Sequence, residues 1–161
     1  MKERILAVLE KNSRISLHDL AALLGESEID VANAIEEMER DHVICGYHTM
    51  INWENTSEEK VQALIEVRVT PQRGQGFDKI ARRIYSFPEV DSCYLMSGGF
   101  DLMVIIEGKT MRDVALFVAS KLSTLDQVLS TSTHFVLKKY KQDGTVFYGD
   151  DDDDERIQVT P

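Results

Sequence analysis

The sequence has few cysteines and prolines and no long hydrophobic run. Of its 161 residues, two are cysteine and three are proline. Two cysteines, Cys45 and Cys93, are too few for a disulfide framework or a four-cysteine zinc site, and they suit a reducing compartment. No apolar stretch approaches the roughly 18 residues of a membrane span, and Glu10 interrupts the first apolar run too early for a secretory signal. We therefore expect a soluble, cytoplasmic protein with no membrane partner.

Positive charge is also scarce. The chain has 18 Lys and Arg against 28 Asp and Glu, which gives a net charge of −10. Residues 1–50 hold five cations against ten acids, and residues 150–161 hold six acids against one arginine. Like charges repel and no apolar residue anchors the last acidic run, so we expect residues 150–161 to form an acidic, disordered tail.

Residues 1–50 contain three segments with apolar residues at helical spacing. Ser16 and Ser27 favour helix N-caps, and Gly25 between them favours a helix end. Three short helices with a tight turn before the third form a helix-turn-helix, whose third helix enters the major groove of DNA. Residues 43–52 predict two short strands around Gly46, the wing of a winged helix-turn-helix.

The period of the apolar pattern changes to two after residues 51–60, which we assign to a linker. Residues 61–149 then predict strands and helices in the order βαββαβ, with the last strand at Thr131–Tyr140. Two helices in this order cover one face of a four-stranded antiparallel sheet, as in ferredoxin-like folds. The predicted fold class is therefore α+β, with a winged helix-turn-helix followed by a ferredoxin-like domain.

The other face of this predicted sheet has no helix to cover it. Its candidate outward residues are Leu64, Tyr94, Met103 and Ile105. A large exposed apolar patch is stable only when another surface covers it. We therefore predict a homodimer that forms through the two sheets.

Three stretches of the chain carry a further pattern. They are Ile15–Tyr47 with the exit Ile44-Cys45-Gly46-Tyr47, Ser97–Val104 with Gly98, Gly99 and Asp101, and the strand Thr131–Tyr140. In this order and spacing they resemble the Lrp/AsnC family of amino-acid-responsive regulators of bacteria and archaea, over nearly the whole chain except the acidic tail. The resemblance implies a ligand-sensing domain of the RAM type, dimers that assemble into octamers, and control of amino-acid metabolism genes or neighbouring genes.

A free amino acid carries an ammonium and a carboxylate group on one carbon. Asp101 can pair with the ammonium group, and backbone N–H groups near Gly98 and Gly99 can bind the carboxylate. Thr131 and Thr133 can add hydroxyl contacts. A structural role stays open for all five residues, since glycine favours turns, aspartate caps them and threonine favours strands. The resemblance implies that the ligand lies between dimers, where its binding shifts the assembly state.

The predicted third helix is acidic for a helix that binds DNA. From Ser27 to Asp41 it has six acids and a single cation, Arg40. The family commonly has arginine where this chain has Ala34, Glu36 and Glu37. Because Lys and Arg neutralise phosphates, we expect duplex DNA to bind weakly except at low salt.

Several side chains of this segment can nevertheless contact DNA. Asn33 can pair with adenine, and Glu28 or Asp30 can accept a hydrogen bond from the cytosine amino group. Phosphate contacts can come from Lys2, Arg4, Lys11, Arg14 and Arg40. The candidate DNA-binding residues are Arg14, Ser27, Glu28, Asp30, Asn33 and Arg40. Each of them can also be an ordinary solvated surface residue.

The remaining chemistry is sparse. His42, Cys45 and His48 are metal-ligand types, but strand alternation separates Cys45 from the two histidines, so we predict no metal site. No nucleophile motif, phosphate loop or dinucleotide fingerprint occurs, so we predict no enzyme and no cofactor apart from an amino-acid-like effector.

The leading hypothesis is a DNA-binding transcriptional regulator. The alternative is a metabolite-sensing oligomer whose acidic N-terminal unit binds a protein partner or acts as a weak-DNA-binding modulator subunit.

Overall fold

A computed structural model of the chain describes residues 1–70, 74 and 76–148. They form two compact units, an N-terminal unit at Met1–Ile51 and a C-terminal unit that begins at Asn52. The predicted acidic tail at 150–161 lies outside the described residues. No helix in the described part of the chain is long and apolar enough to cross a membrane.

The N-terminal unit contains the three predicted helices, α1 at Lys2–Leu9, α2 at Leu17–Leu24 and α3 at Glu28–Arg40. The hydroxyl of Ser16 accepts a hydrogen bond from the Asp19 N–H, and the hydroxyl of Ser27 accepts one from the Asp30 N–H. Gly25 ends α2 with a φ of 68°, a left-handed conformation that glycine adopts without steric cost. The tight turn between α2 and α3 is therefore set by residues next to it in the chain.

The core of this unit is formed by buried side chains from all three helices. They are Ile5 from α1, Leu20, Ala21 and Leu24 from α2, and Val31, Ala34 and Met38 from α3. Since each helix buries one apolar stripe against the others, none of the three is stable alone.

The two strands predicted at residues 43–52 are absent from the structure, where this segment contains no strand. His42 has a φ of 56°, which turns the chain back over the end of α3. The N–H groups of Val43 and Ile44 then both donate to the carbonyl of Met38, at 2.8 and 3.1 Å. Because these donors complete the helix end, they are not available for strand pairing.

The C-terminal unit has the predicted βαββαβ order. Its elements are β1 at Val61–Val69, α4 at Asp78–Tyr85, β2 at Val90–Leu95, β3 at Leu102–Gly108, α5 at Met111–Phe117 and β4 at Val128–Phe135. A single π-helical turn at Val118–Leu122 continues α5. The strands form one sheet in the order β2-β3-β1-β4, and every neighbouring pair is antiparallel.

The two faces of the sheet differ in burial. On β1, Ala63, Ile65 and Val67 are fully buried against α4 and α5. The alternate residues belong to the open face, which carries half-buried or exposed side chains and is the face predicted to dimerise. Paired positions on that face include Leu64 with Ile105, Glu66 with Met103, and Tyr94 with Met103.

The last predicted strand is shifted relative to the structure. Strand β4 ends at Phe135 rather than Tyr140, and the Val136 N–H donates to the Gln62 carbonyl. Only Val61 of β1 lies beyond this hydrogen bond, so little partner strand remains for β4 to pair with. A separate hairpin follows, with β5 at Lys141–Gln142 and β6 at Thr145–Val146.

Candidate functional site

Helix α3 has a buried side and an outward side. Its buried residues are Val31, Ala34 and Met38. At about 100° per residue, four exposed residues fall within roughly 60° of one another on the opposite side. These residues, which we call the outward stripe, are Ile29, Asn33, Glu36 and Arg40. The N-terminal unit therefore leaves one side of α3 exposed.

The two acids in the first turn of α3 are engaged by neighbours. The Glu28 Oε1 atom lies 2.8 Å from Nδ1 of His18 in α2. The Asp30 Oδ2 atom accepts a 2.6 Å hydrogen bond from the Ser27 hydroxyl. The predicted DNA contacts Ser27, Glu28 and Asp30 therefore have partners within the unit. A base must share or displace those hydrogen bonds to reach them.

The contact between His18 and Glu28 also changes the acidity of the histidine. The hydrogen bond to Glu28, together with the negative charge of that carboxylate, raises the pKa of His18 above its ordinary value. Protonation of His18 offsets one negative charge at the start of α3. Sequence reasoning missed this pair because the two residues lie on different helices, ten positions apart.

The cations of the N-terminal unit fall into two groups. Three of the five lie against acceptors of the unit. These contacts are Lys2 Nζ to Glu37 Oε2 at 2.8 Å, Arg4 Nη2 to the Leu24 carbonyl at 2.6 Å, and Arg40 Nε to Asp41 Oδ1 at 3.4 Å. The side chains of Lys11 and Arg14 make no ion pair within the described ranges. Of the predicted DNA-binding cations, Arg14 is thus available to a phosphate and Arg40 is shared with a carboxylate.

The turn between β2 and β3 holds the predicted effector residues Gly98, Gly99 and Asp101. Gly98 has a φ of 129°, a conformation that L side chains rarely adopt. The Asp101 Oδ2 atom accepts a 2.9 Å hydrogen bond from the Val69 N–H, and the Asp101 N–H donates to the Val67 carbonyl at 3.1 Å. One carboxylate oxygen therefore holds the end of β1, while Oδ1 accepts no hydrogen bond from the described residues.

The sheet register relates this turn to the predicted threonines. Val67 pairs with Leu102 on one side and with Thr131 on the other. Thr131 therefore lies at the same end of the sheet as Asp101, two strands or about 10 Å away. Thr133 pairs with Ile65 and lies further from the turn. Both threonines share the helix-covered face with Ile65 and Val67, and both are half-buried.

Comparisons with known proteins agree with this two-part arrangement. The winged helix-turn-helix DNA-binding model matches residues 1–44, and the Lrp/AsnC ligand binding domain matches residues 62–146. The Bacillus subtilis HTH-type transcriptional regulator YugG is 52% identical, with 98% of this chain and 95% of the relative covered. The proline dehydrogenase transcriptional activator of Rhodobacter capsulatus is 30% identical, with coverages of 84% and 87%.

Solved structures share the same fold. Escherichia coli AsnC matches with a TM-score of 0.67 and 20% identity, over 88% of this chain and 93% of that one. A Neisseria meningitidis transcriptional regulator, solved as an L-Met complex, matches with a TM-score of 0.69 and 23% identity, over 88% and 90%. The relatives are named as regulators rather than enzymes. The chain therefore belongs to the Lrp/AsnC family, as a DNA-binding transcriptional regulator with a ligand-binding domain.

Proposed function

We propose that this regulator binds double-stranded DNA through α3 and that a free amino acid, bound near the β2–β3 turn, changes that binding. The observation that carries the proposal is the pairing in one chain of a helix-turn-helix, whose third helix has an outward stripe, with a ligand-binding domain. We assign DNA binding to residues 1–50, and dimerisation and effector binding to residues 61–149, with residues 51–60 as linker.

Among the described residues, the proposed DNA interface has few cations without an acidic or carbonyl partner. Asn33 is exposed, and its amide makes no hydrogen bond within the described residues, so it can pair with adenine. Arg14 can neutralise a phosphate, whereas Arg40 already lies beside Asp41. With so few unpaired cations, the electrostatic part of the affinity is small and binding weakens as salt is added.

The proposed effector is an amino acid. The Asp101 Oδ1 atom, which accepts no hydrogen bond from the described residues, can accept hydrogen bonds from an ammonium group, while the backbone at Gly98 and Gly99 can donate to a carboxylate. The L-Met complex of the Neisseria meningitidis regulator supports this chemical class. Thr131, at the same end of the sheet, can add a hydroxyl contact, and Thr133 can do so only for a ligand that extends along β4 away from the turn.

We further propose that the open face of the sheet is covered by a second copy of the chain in the cytoplasm. Leu64, Tyr94, Met103 and Ile105 share that face with the polar Glu66. Covering these apolar side chains removes them from water and favours association. The family resemblance implies that such dimers assemble further into octamers.

A binding titration tests this proposal. Full-length protein is titrated against labelled DNA from upstream of its own gene at several salt concentrations, with and without each of the twenty amino acids. We expect binding at low salt that weakens as salt rises, and a change in affinity with at least one amino acid. Absence of binding even at low salt would contradict the proposal and favour a protein partner for the acidic N-terminal unit.

A further inference from the structure

We infer that Ile29 and Asn33 act together as the base-reading pair of α3, with Ile29 on the 5-methyl group of a thymine and Asn33 on a neighbouring adenine. This inference rests on the proposed binding of DNA. It assigns sequence preference to an aliphatic side chain and an amide, neither of which carries charge. An acidic helix can then discriminate between base pairs without adding phosphate contacts.

Ile29 is the most exposed large hydrophobic residue of the N-terminal unit, with 73% of its surface accessible. A single exposed apolar side chain is common in soluble proteins, so exposure alone does not define a site. The position of Ile29 is the more informative observation, because this residue lies in the first turn of the third helix. The N-terminal residues of this helix are the ones that contact base edges in helix-turn-helix proteins.

Asn33 follows Ile29 by four residues on the outward stripe. The two side chains are therefore about 40° apart around the helix and roughly 6 Å apart along it. Base pairs stack about 3.4 Å apart, so this spacing corresponds to at most two base-pair steps. The buried Val31 and Ala34 hold the opposite side of the helix against the core of the unit. Both Ile29 and Asn33 consequently face away from that core.

The neighbouring acids strengthen the assignment. Four side chains are exposed between Glu28 and Ala34. Two of them, Glu28 and Asp30, are held by His18 and Ser27 at 2.8 and 2.6 Å. Ile29 and Asn33 are the other two. The Ile29 side chain is apolar, and the Asn33 amide makes no hydrogen bond within the described residues.

The chemistry of the two side chains matches one kind of base pair. The thymine methyl group is the apolar group that the major groove presents, and adenine offers a donor and an acceptor that an asparagine amide pairs with in a bidentate way. An aliphatic side chain next to an amide therefore prefers a site that contains both bases. A guanine or cytosine at the same place would leave the amide poorly paired and give Ile29 no methyl group to contact.

The test compares thymine with deoxyuridine, which lacks only the methyl group. Duplexes that bind the full-length protein at low salt are selected from a random-sequence library, and each thymine is then replaced in turn. For the unchanged protein we expect one replacement to weaken binding by about fourfold, which is the worth of one buried methyl group. The Ile29→Ala variant should bind the thymine and deoxyuridine duplexes equally. Asn33→Ala should lose the preference for adenine at a position within two base pairs.

The control is Val43→Ala, which shortens another exposed aliphatic side chain outside α3 and should keep the discrimination between thymine and deoxyuridine. Since Ile29 is exposed, its truncation leaves no cavity, and circular dichroism should show an unchanged fold. If the selected duplex binds but no thymine matters, or if Ile29→Ala still discriminates, the inference is overturned and DNA binding stands. If no duplex is selected, both fail.

Discussion

Substitutions at Asp101 separate its structural role from its proposed role in binding an amino acid. The Oδ2 atom accepts the N–H of Val69, a residue that is 4% exposed, at 2.9 Å. Asp101→Ala leaves that N–H without its acceptor, and losing a hydrogen bond to a charged group costs about 2 kcal/mol. Asp101→Asn keeps a carbonyl oxygen at the same place, so we expect the free energy of unfolding to fall by about 1 kcal/mol instead.

Thermal unfolding with and without amino acids measures both roles at once. The unchanged protein should be stabilised by its effector, by about 2.7 kcal/mol at a ligand concentration 100 times Kd. Asp101→Asn should fold and lose this stabilisation, because its neutral amide no longer attracts an ammonium group. Asp91→Asn, an exposed aspartate at the opposite end of the sheet, should retain it.

Two results would refute this reasoning separately. If Asp101→Asn keeps the full ligand-induced stabilisation, the carboxylate does not bind the effector. If Asp101→Ala unfolds at the same temperature as the unchanged protein, the contact with Val69 does not support β1.

Three further predictions concern DNA binding and assembly. Arg14→Ala should reduce the slope of log K against log salt by about 0.9 for each bound subunit. Arg40→Ala should change the slope less, because the Arg40 guanidinium lies beside Asp41. Equal effects of the two variants in the titration would contradict the distinction between an available Arg14 and a paired Arg40. Glu28 raises the pKa of His18, so the stabilisation from their pair is present below the ordinary pKa and lost as pH rises through the raised one. Because protonated His18 offsets a negative charge at the start of α3, DNA should bind more tightly at pH 6 than at pH 8. His18→Asn should reduce this difference in affinity. An unchanged pH dependence of DNA binding in the variant would refute the role of His18. Ile105→Asp should give a monomeric mass by light scattering at micromolar concentration, whereas Leu116→Asp on α5 should stay dimeric. A dimeric Ile105→Asp protein would exclude the open face of the sheet as the dimer interface.

Features that depend on near neighbours in the chain were predictable. Ser16, Ser27 and Gly25 begin and end helices through contacts with residues three or four positions away. The two-residue period of β1 likewise predicted which side chains face the core. Both patterns have one physical cause, because the helix and strand repeats determine which side chains share a face.

Strand ends were less predictable, because a strand ends where its partner ends. Thr131–Tyr140 has a continuous strand pattern, yet β4 stops at Phe135, whose partner Ala63 lies only two residues from the start of β1. The β5–β6 hairpin turns at Asp143 and Gly144, with φ of 46° and 79°. Its signal was the Asp-Gly pair, which lies beyond the predicted last strand and was not assigned to a turn. The predicted wing is absent, and the N–H groups of Val43 and Ile44 at its start donate to the Met38 carbonyl instead.

Local patterns in the chain are enough to establish the two-part architecture, the helix-turn-helix and the residue types suited to an amino acid and to DNA. The packing of separate helices and strands determines which of those residues remain available to a ligand. His18 engages Glu28 from another helix, and Val69 occupies one oxygen of Asp101 from a strand 32 residues away. Such pairs cannot be recognised from a periodic pattern in the sequence, because the two residues come together only when separate helices or strands pack.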